Sequence, residues 1–193
     1  MKTQKILTVF TTVAAVALSS TAFAAPETYV IDTNHTKPRF EYNHLGYSVQ
    51  LSRFDKVSGK ITIDLAAKTG SVDVVMDAKS VNTGYAVFNE DIQAEDYLNT
   101  EKYPTITFKS TGMKFDGDKL VAVDGKLTIK GITKPLTLTV VSFLCNAHPI
   151  YKKDACGAEA TGKILRSDFH VDKYAPYISD ELTLTIPIES IKG

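Results

Sequence analysis

The sequence predicts an all-β chain: an antiparallel sheet with one apolar face, closed into a barrel or packed on a second sheet, with one short helical excursion near residues 85–99. Three observations carry this. Residues 126–140 read KLTIKGITKPLTLTV, in which Leu127 and Ile129, then Leu136, Leu138 and Val140, alternate with polar side chains on either side of a turn at 131–135. Period-two alternation across a short turn marks a β-hairpin with one buried face and one wet face. The same alternation recurs along almost the whole chain after Thr28, and only one segment departs from it.

In chain order the strand candidates are TYVID, KPRFEYN, GYSVQLSRF, KVSGKITIDL, GSVDVVMDA, TITFKST, KLVAVDGKLTIK, PLTLTVVSF, AEATGKILR and DELTLTIPIES. All are rich in Val, Ile, Thr, Phe and Tyr, which fit a pleated, half-buried surface. Gly, Asp and Asn punctuate them, and the Asp-Gly-Asp at 116–118 signals a tight hairpin. Tracing parity along the strands puts Phe40, Tyr42 and His44, then Ile61, Ile63 and Leu65, on one face. Ile106, Phe108, Leu127, Ile129, Leu136, Leu138 and Val140 continue it, and Leu182, Leu184, Ile186 and Ile188 complete it. A sheet that is apolar on one side must bury that side. The departing segment, YAVFNEDIQAEDYLNTEKYP, has few β-formers, carries Glu90, Asp91, Glu95 and Asp96, and spaces Phe88 and Ile92 by one helical turn. It reads as a short, irregular helix that plugs or covers one end of a barrel.

The first 24 residues read as a cleaved secretory signal peptide. Lys2 and Lys5 precede an apolar run from Ile6 to Leu18, and Ala22-Phe23-Ala24 is a small-x-small cleavage site. The run is shorter than the ~20 apolar residues that span a bilayer, and three threonines interrupt it. Residues 25–193 then form the expected single domain, periplasmic or secreted. Loss of the two leader lysines from a chain with 22 basic and 22 acidic side chains leaves a slight acidic excess. That balance excludes the basic surface that nucleic-acid binding needs. Cys145 and Cys156 are the only cysteines, and in an exported protein a pair this close reads as a disulfide across a local connection. A redox-active pair is the alternative, although the spacing is not C-x-x-C.

The inventory of catalytic motifs is thin. The chain has no G-x-S-x-G elbow, phosphate loop, H-E-x-x-H or dinucleotide glycine pattern. His35, His44, His148 and His170 lie at no metal-ligand spacing, although a turn between His35 and His44 leaves room for the two to meet. No metal site is expected. The acidic cluster at 90–96 lacks the spaced oxygens and central Gly of a calcium loop and reads as a solvated helix face.

Several blocks, in order, resemble the YceI-like family: YVIDTNHTKPRFEYNHLGYS from Tyr29, SVNTG from Ser80, KYPTITFKST from Lys102, GKLTIKGITKPLTLTV from Gly125 and RSDFHVDKY from Arg166. The resemblance implies a lipocalin-like antiparallel β-barrel of about eight strands, exported by a bacterium, that holds a polyisoprenoid or isoprenoid quinone inside. An eight-stranded barrel is just wide enough to fill with side chains or to hold one ligand. Where the family commonly shows Thr-Gly, then Arg-Asp, then His-Leu, this chain has Thr83-Gly84, Phe88-Asn89 and Asp91-Ile92. The missing Arg and His favour a neutral headgroup, such as a quinone or a fatty amide, over a pyrophosphate.

On this reading Phe40, Tyr42, Phe54, Ile63, Phe108, Ile129 and Leu138 contact the lipid tail, and His44, Asn34 or Tyr174 hydrogen-bonds a headgroup carbonyl. The bound lipid is a ligand; no other cofactor is expected. Expected partners are the lipid and a transient membrane or membrane-protein contact, with the protein a monomer or homodimer. Two other functions stay open. A filled barrel would suit a stress-response or interaction protein, and an enzyme acting on bound lipid would need a polar residue essential for turnover.

Overall fold

The structure, a computed structural model, describes residues 25–193. The expected leader, residues 1–24, lies outside the described residues. Eleven strands form one antiparallel sheet: β1 (Glu27–Ile31), β2 (Arg39–His44), β3 (Ser48–Phe54), β4 (Val57–Asp64), β5 (Thr69–Asp77), β6 (Val81–Asn82), β7 (Thr105–Asp116), β8 (Lys119–Ile129), β9 (Ile132–Ala147), β10 (Asp154–Leu165) and β11 (Glu181–Lys192). The predicted strands are all present, and the two-residue β6 joins them. Pairing of β1 with β11 closes β1, β4, β5, β7, β8, β9, β10 and β11 into an eight-stranded barrel. Closure removes the open edges that a flat sheet of these strands would expose.

β11 serves two partners on one edge. Its C-terminal half pairs with β1 through Ser190–Lys192, and its N-terminal half pairs with β2 through Thr183–Thr185. Thr36, fully buried, bridges the gap between them. Its hydroxyl accepts from the Glu189 N–H at 3.0 Å and donates to the Glu189 carbonyl at 3.2 Å, replacing the missing ladder bonds.

The registers define two ends. The mouth holds the β2–β3 tip, the β8–β9 turn, residues 83–104 and the connection from Arg166 to Asp180; the foot holds the β4–β5, β7–β8 and β9–β10 turns. The β8–β9 hairpin is tighter than expected. Ile129 faces Ile132, so the turn is only Lys130 and Gly131, both at positive φ as a two-residue primed turn requires, and Pro135 lies in the strand opposite Lys126. Leu65 is also corrected. β4 ends at Asp64, so Leu65 falls in the turn and is exposed.

The helix α1 is shorter than its sequence pattern suggests. It spans Ala86–Asp91, and turns carry the chain from there to residue 104. Thr83 fixes its start by donating both its N–H (2.7 Å) and its hydroxyl (2.8 Å) to Asn89 Oδ1.

At the foot, Cys145 and Cys156 face each other across β9 and β10 and are disulfide-bonded. Cys156 is buried with Tyr29 and Ile63, and Met113, Phe143 and Cys145 pack around them. The bridge is therefore a cross-strand staple in the barrel floor. Closing so short a loop restricts the unfolded chain and is worth up to about 3 kcal/mol. Replacing both cysteines with alanine should lower the melting temperature by roughly 6–12 °C, measured calorimetrically. An unchanged melting temperature would assign the bridge no role in stability.

His35 and His44 do not meet. His35 sits on the outer wall, its Nδ1 2.7 Å from Asp32 Oδ2 and 3.9 Å from Glu189, whereas His44 stands at the mouth beside Ile178. Nine residues of β11 register separate the two levels, roughly 30 Å. Asp32, His35 and Glu189 are the one trio among the described residues with metal-ligand spacing, and His35 and Glu189 are exposed. The hydrogen bond to Asp32 raises the His35 pKa, and the same bond holds the Asp32 carboxyl below its usual value.

The two shifts act in opposite directions along the pH scale. The His35 contribution is complete below its unfolded value, about 6.5, and fades as pH rises through the raised folded value; that of Asp32 is complete above about 3.9 and fades as pH falls. The stability difference between wild type and His35→Gln, read from urea midpoints, should be largest near pH 5 and shrink by pH 8. A difference that does not vary with pH would show that the pair contributes nothing through ionisation.

Candidate functional site

The apolar inner face does not meet itself across the barrel. It encloses a cavity of about 960 Å³ that runs from the foot to the mouth, at the upper end of the range for small-molecule sites. The walls explain the space. β10 turns Ala158 and Ala160 inward, and these small side chains leave room that larger residues on facing strands do not fill. Phe108 is seated by Gly125 on the neighbouring strand; a Cβ there would stand 2.3 Å from the ring. The glycine lets the aromatic ring lie flat against the wall instead of crossing the lumen.

Nine of the ten residues expected to bind ligand line this cavity. Phe54, Phe108, Ile129 and Leu138 are buried in its walls, Ile63 lies toward the floor, and Phe40 and Tyr42 lie on β2 below His44 and Tyr174 at the mouth. The rings of Phe40 and Tyr42 stack at 6.5 Å, and Phe40 meets Phe54 at 5.8 Å. Asn34 is the exception. It sits outside the barrel in the β1–β2 corner, its N–H donating to Asp32 Oδ1, and it borders a separate shallow depression.

The segment at residues 83–104 covers the mouth. Phe88, Ile92, Tyr97 and Leu98 point into the cavity, and Phe88 meets Tyr97 edge-on at 6.0 Å. Lys173, from the β10–β11 connection, pairs with Asp96 and stands 5.1 Å from the centres of both the Tyr97 and Tyr174 rings. The hydrogen bond from Lys173 holds Asp96 below its usual pKa, and the same bond raises the lysine. One ion pair thus ties the two mouth segments together.

Sequence reading missed the residue that shapes the second segment. Arg166 is buried and lines the cavity, so the mouth does contain a cation, supplied from another element than the one where its absence was noted. Its guanidinium donates to the carbonyls of Ser179 (2.8 Å), Val171 (2.9 Å), Lys173 (3.1 Å) and Ile178 (2.8 Å). Four of its five N–H groups are therefore occupied. Burial lowers its pKa, and the charge of Asp180 opposes that shift. Asp180 itself is driven up by burial but held below its ordinary value overall, because the Ser167 N–H and hydroxyl donate to it at 2.7 and 2.6 Å. Burial raises the Tyr42 phenol, against the nearby Arg166 charge. Ser52, opposite Phe40, is fully buried.

The arrangement is chemically one-sided. Most of the lumen is hydrocarbon and aromatic ring, while His44, Gln50, Asp91, Asp96 and Lys173 gather at the mouth. Such a cavity can hold a long apolar chain and hydrogen-bond a polar group at one end.

The YceI-like domain model matches residues 29–190. Protein YceI of Escherichia coli O157:H7 is 36% identical over 176 residues, spanning 90% of this chain and 91% of that protein. The Campylobacter jejuni YCEI protein superposes with a TM-score of 0.68 at 27% identity, covering 78% of this chain and 90% of the other. A polyisoprenoid binding domain from Saccharophagus degradans shares the fold, with a TM-score of 0.60 at 18% identity over 86% of this chain and 98% of the other. A closed eight-stranded barrel, this cavity and a match over nearly all the described residues lead to one conclusion: the chain belongs to the YceI-like domain family.

Proposed function

We propose that the barrel binds one long-chain apolar lipid, an isoprenoid quinone or polyisoprenoid, and carries or stores it in the periplasm. The observation that carries this reading is the closed barrel with an apolar cavity of about 960 Å³. The family is a binding-protein fold, and one relative of the same fold is described as a polyisoprenoid binding domain. The leader pattern and the disulfide support export.

Affinity needs no special contact. Each buried CH₂ contributes about 0.8 kcal/mol relative to water. Summed over an isoprenoid tail, that exceeds the ceiling of non-covalent binding near −18 to −21 kcal/mol. The competing solvent is therefore the membrane, where the tail is already dry, and the barrel has only to balance it. At the mouth, the Arg166 guanidinium is largely taken up by backbone carbonyls. His44, Tyr42 and Tyr174 remain to meet the headgroup, which suits a neutral carbonyl better than a phosphate.

The test is native mass spectrometry of the mature protein purified from its own periplasm, followed by extraction of any bound lipid. A stoichiometric mass excess resolved to a quinone or other isoprenoid is expected. A bare mass that persists after incubation with quinone- and isoprenoid-loaded vesicles would overturn the reading in favour of an interaction protein. Recovery of a chemically altered lipid would instead favour an enzyme.

A further inference from the structure

The mouth carries exposed apolar side chains that nothing among the described residues covers. Leu45, Tyr47, Val49 and Leu51 project from the β2–β3 hairpin, Tyr85 and Val87 from the start of α1, and Tyr174 and Tyr177 from the β10–β11 connection. Tyr47 is 88% exposed and Tyr177 74%. The Leu45 N–H donates to the Tyr177 carbonyl, and the Ser179 N–H donates to the Asn43 carbonyl. Those bonds fuse hairpin and connection into one continuous surface.

From these features we infer that this rim docks the mouth on the interfacial layer of a zwitterionic bilayer. The inference rests on the lipid-binding reading above and adds the surface through which lipid enters. Three observations favour a bilayer. Residues 42–52 contain no Asp, Glu, Lys or Arg, so the hairpin enters an interface without desolvating a formal charge. The exposed residues are rich in tyrosine, whose apolar ring and polar hydroxyl suit the headgroup level. Tyr85 and Tyr174 are both exposed outside and part of the cavity lining, so the apolar rim runs without a break into the lumen. A bilayer uses both the patch and the opening, whereas a protein partner would cap the opening.

Two further features set the depth and the lipid preference. β3 pairs with β6 only through Arg53 and Phe54, so the outer edge of Ser48–Ser52 presents unpaired backbone groups. Those groups need water or headgroup partners, which limits insertion to the interface. Beside the patch, Glu90, Asp91 and Glu95 are exposed and form no ion pair among the described residues. They repel anionic lipid, and docking weakens as anionic lipid is added.

Flotation of the mature protein with phosphatidylcholine vesicles tests this, with and without phosphatidylglycerol. Wild type should float with phosphatidylcholine and less so as phosphatidylglycerol increases. The double variant Tyr47→Asp, Val49→Asp alters only side chains outside the cavity. It should lose at least about tenfold in partitioning while loading lipid normally from detergent micelles. A lipid-loaded wild type that stays in solution, or a variant that floats as well as wild type, would overturn the docking surface. So would a dimer in sedimentation velocity that this variant abolishes with no vesicle binding, since the patch would then join two copies. Flotation by a protein that never loads lipid would leave docking standing and bring down the carrier reading instead.

Discussion

Replacing Phe108 with lysine should abolish lipid retention while export and the Cys145–Cys156 bridge survive. Phe108 is buried in the cavity wall with its ring seated over Gly125, on a strand held on both sides by β5 and β8. The backbone at this position is thus fixed by neighbours that the substitution does not touch. A lysine there carries its ammonium into a lumen whose surroundings are Ile106, Leu127 and Leu138. An unpaired buried charge costs several kcal/mol. The empty barrel escapes much of that cost by admitting water or by lowering the lysine pKa, but a barrel full of hydrocarbon cannot hydrate the ammonium. The penalty therefore falls on the loaded form. About 4 kcal/mol of differential cost is roughly a thousandfold in affinity. The expected result is a protein with wild-type circular dichroism, an intact disulfide by mass, and no co-purifying lipid. Ala160→Trp is the companion, because it obstructs the lumen with an apolar ring and introduces no charge. If Phe108→Lys retains lipid at wild-type stoichiometry, Phe108 does not face the ligand.

What parity can see explains which parts of this site were legible. Side chains alternate along an unbulged strand, so Phe40, Tyr42, Ile63, Phe108, Ile129 and Leu138 could be assigned to one face before that face had a location. Parity fails where a strand stops. Leu65 has the right phase but lies one residue beyond β4 and turns outward. Asn34 was a polar residue near the strand start, and nothing in a turn's composition says whether it faces the lumen or the outer wall. Whether the face enclosed a cavity or a solid core was not readable from the large residues. It depends on the small ones opposite, Ala158 and Ala160, and small residues are compatible with either outcome. Arg166 was invisible for a different reason. Its partners are four backbone carbonyls, and a carbonyl leaves no trace in residue identity.

That carbonyl cage makes Arg166 the residue whose loss should destabilise the mouth most. Connections between strands run over the surface because buried backbone groups must find partners. Here residues 166–180 curl over the barrel end with little regular structure, and the guanidinium supplies what a ladder would otherwise provide. In the variant Arg166→Leu, the carbonyls of Val171, Lys173, Ile178 and Ser179 lose their donor together. Hydrogen bonds to charged groups contribute about 1.5–3 kcal/mol each, and part of the loss is recovered as the loop opens to water. A net cost of about 3–5 kcal/mol is expected, read as a lower urea midpoint. The loosening should be local as well as global. The Lys173–Asp96 pair and the backbone bond from Leu45 to Tyr177 both depend on this connection, so amides in 166–180 and 85–99 should exchange hydrogen faster than those of the barrel floor. A lipid already inside should leave faster too, because the Lys173–Asp96 pair that ties the two mouth segments together hangs on the connection that Arg166 holds. Arg166→Lys separates charge from geometry. A lysine keeps the cation but cannot span four carbonyls with a planar fork. If it restores wild-type stability, the charge matters and the cage does not. If it behaves like Arg166→Leu, the mouth is built on the directions of the guanidinium N–H groups.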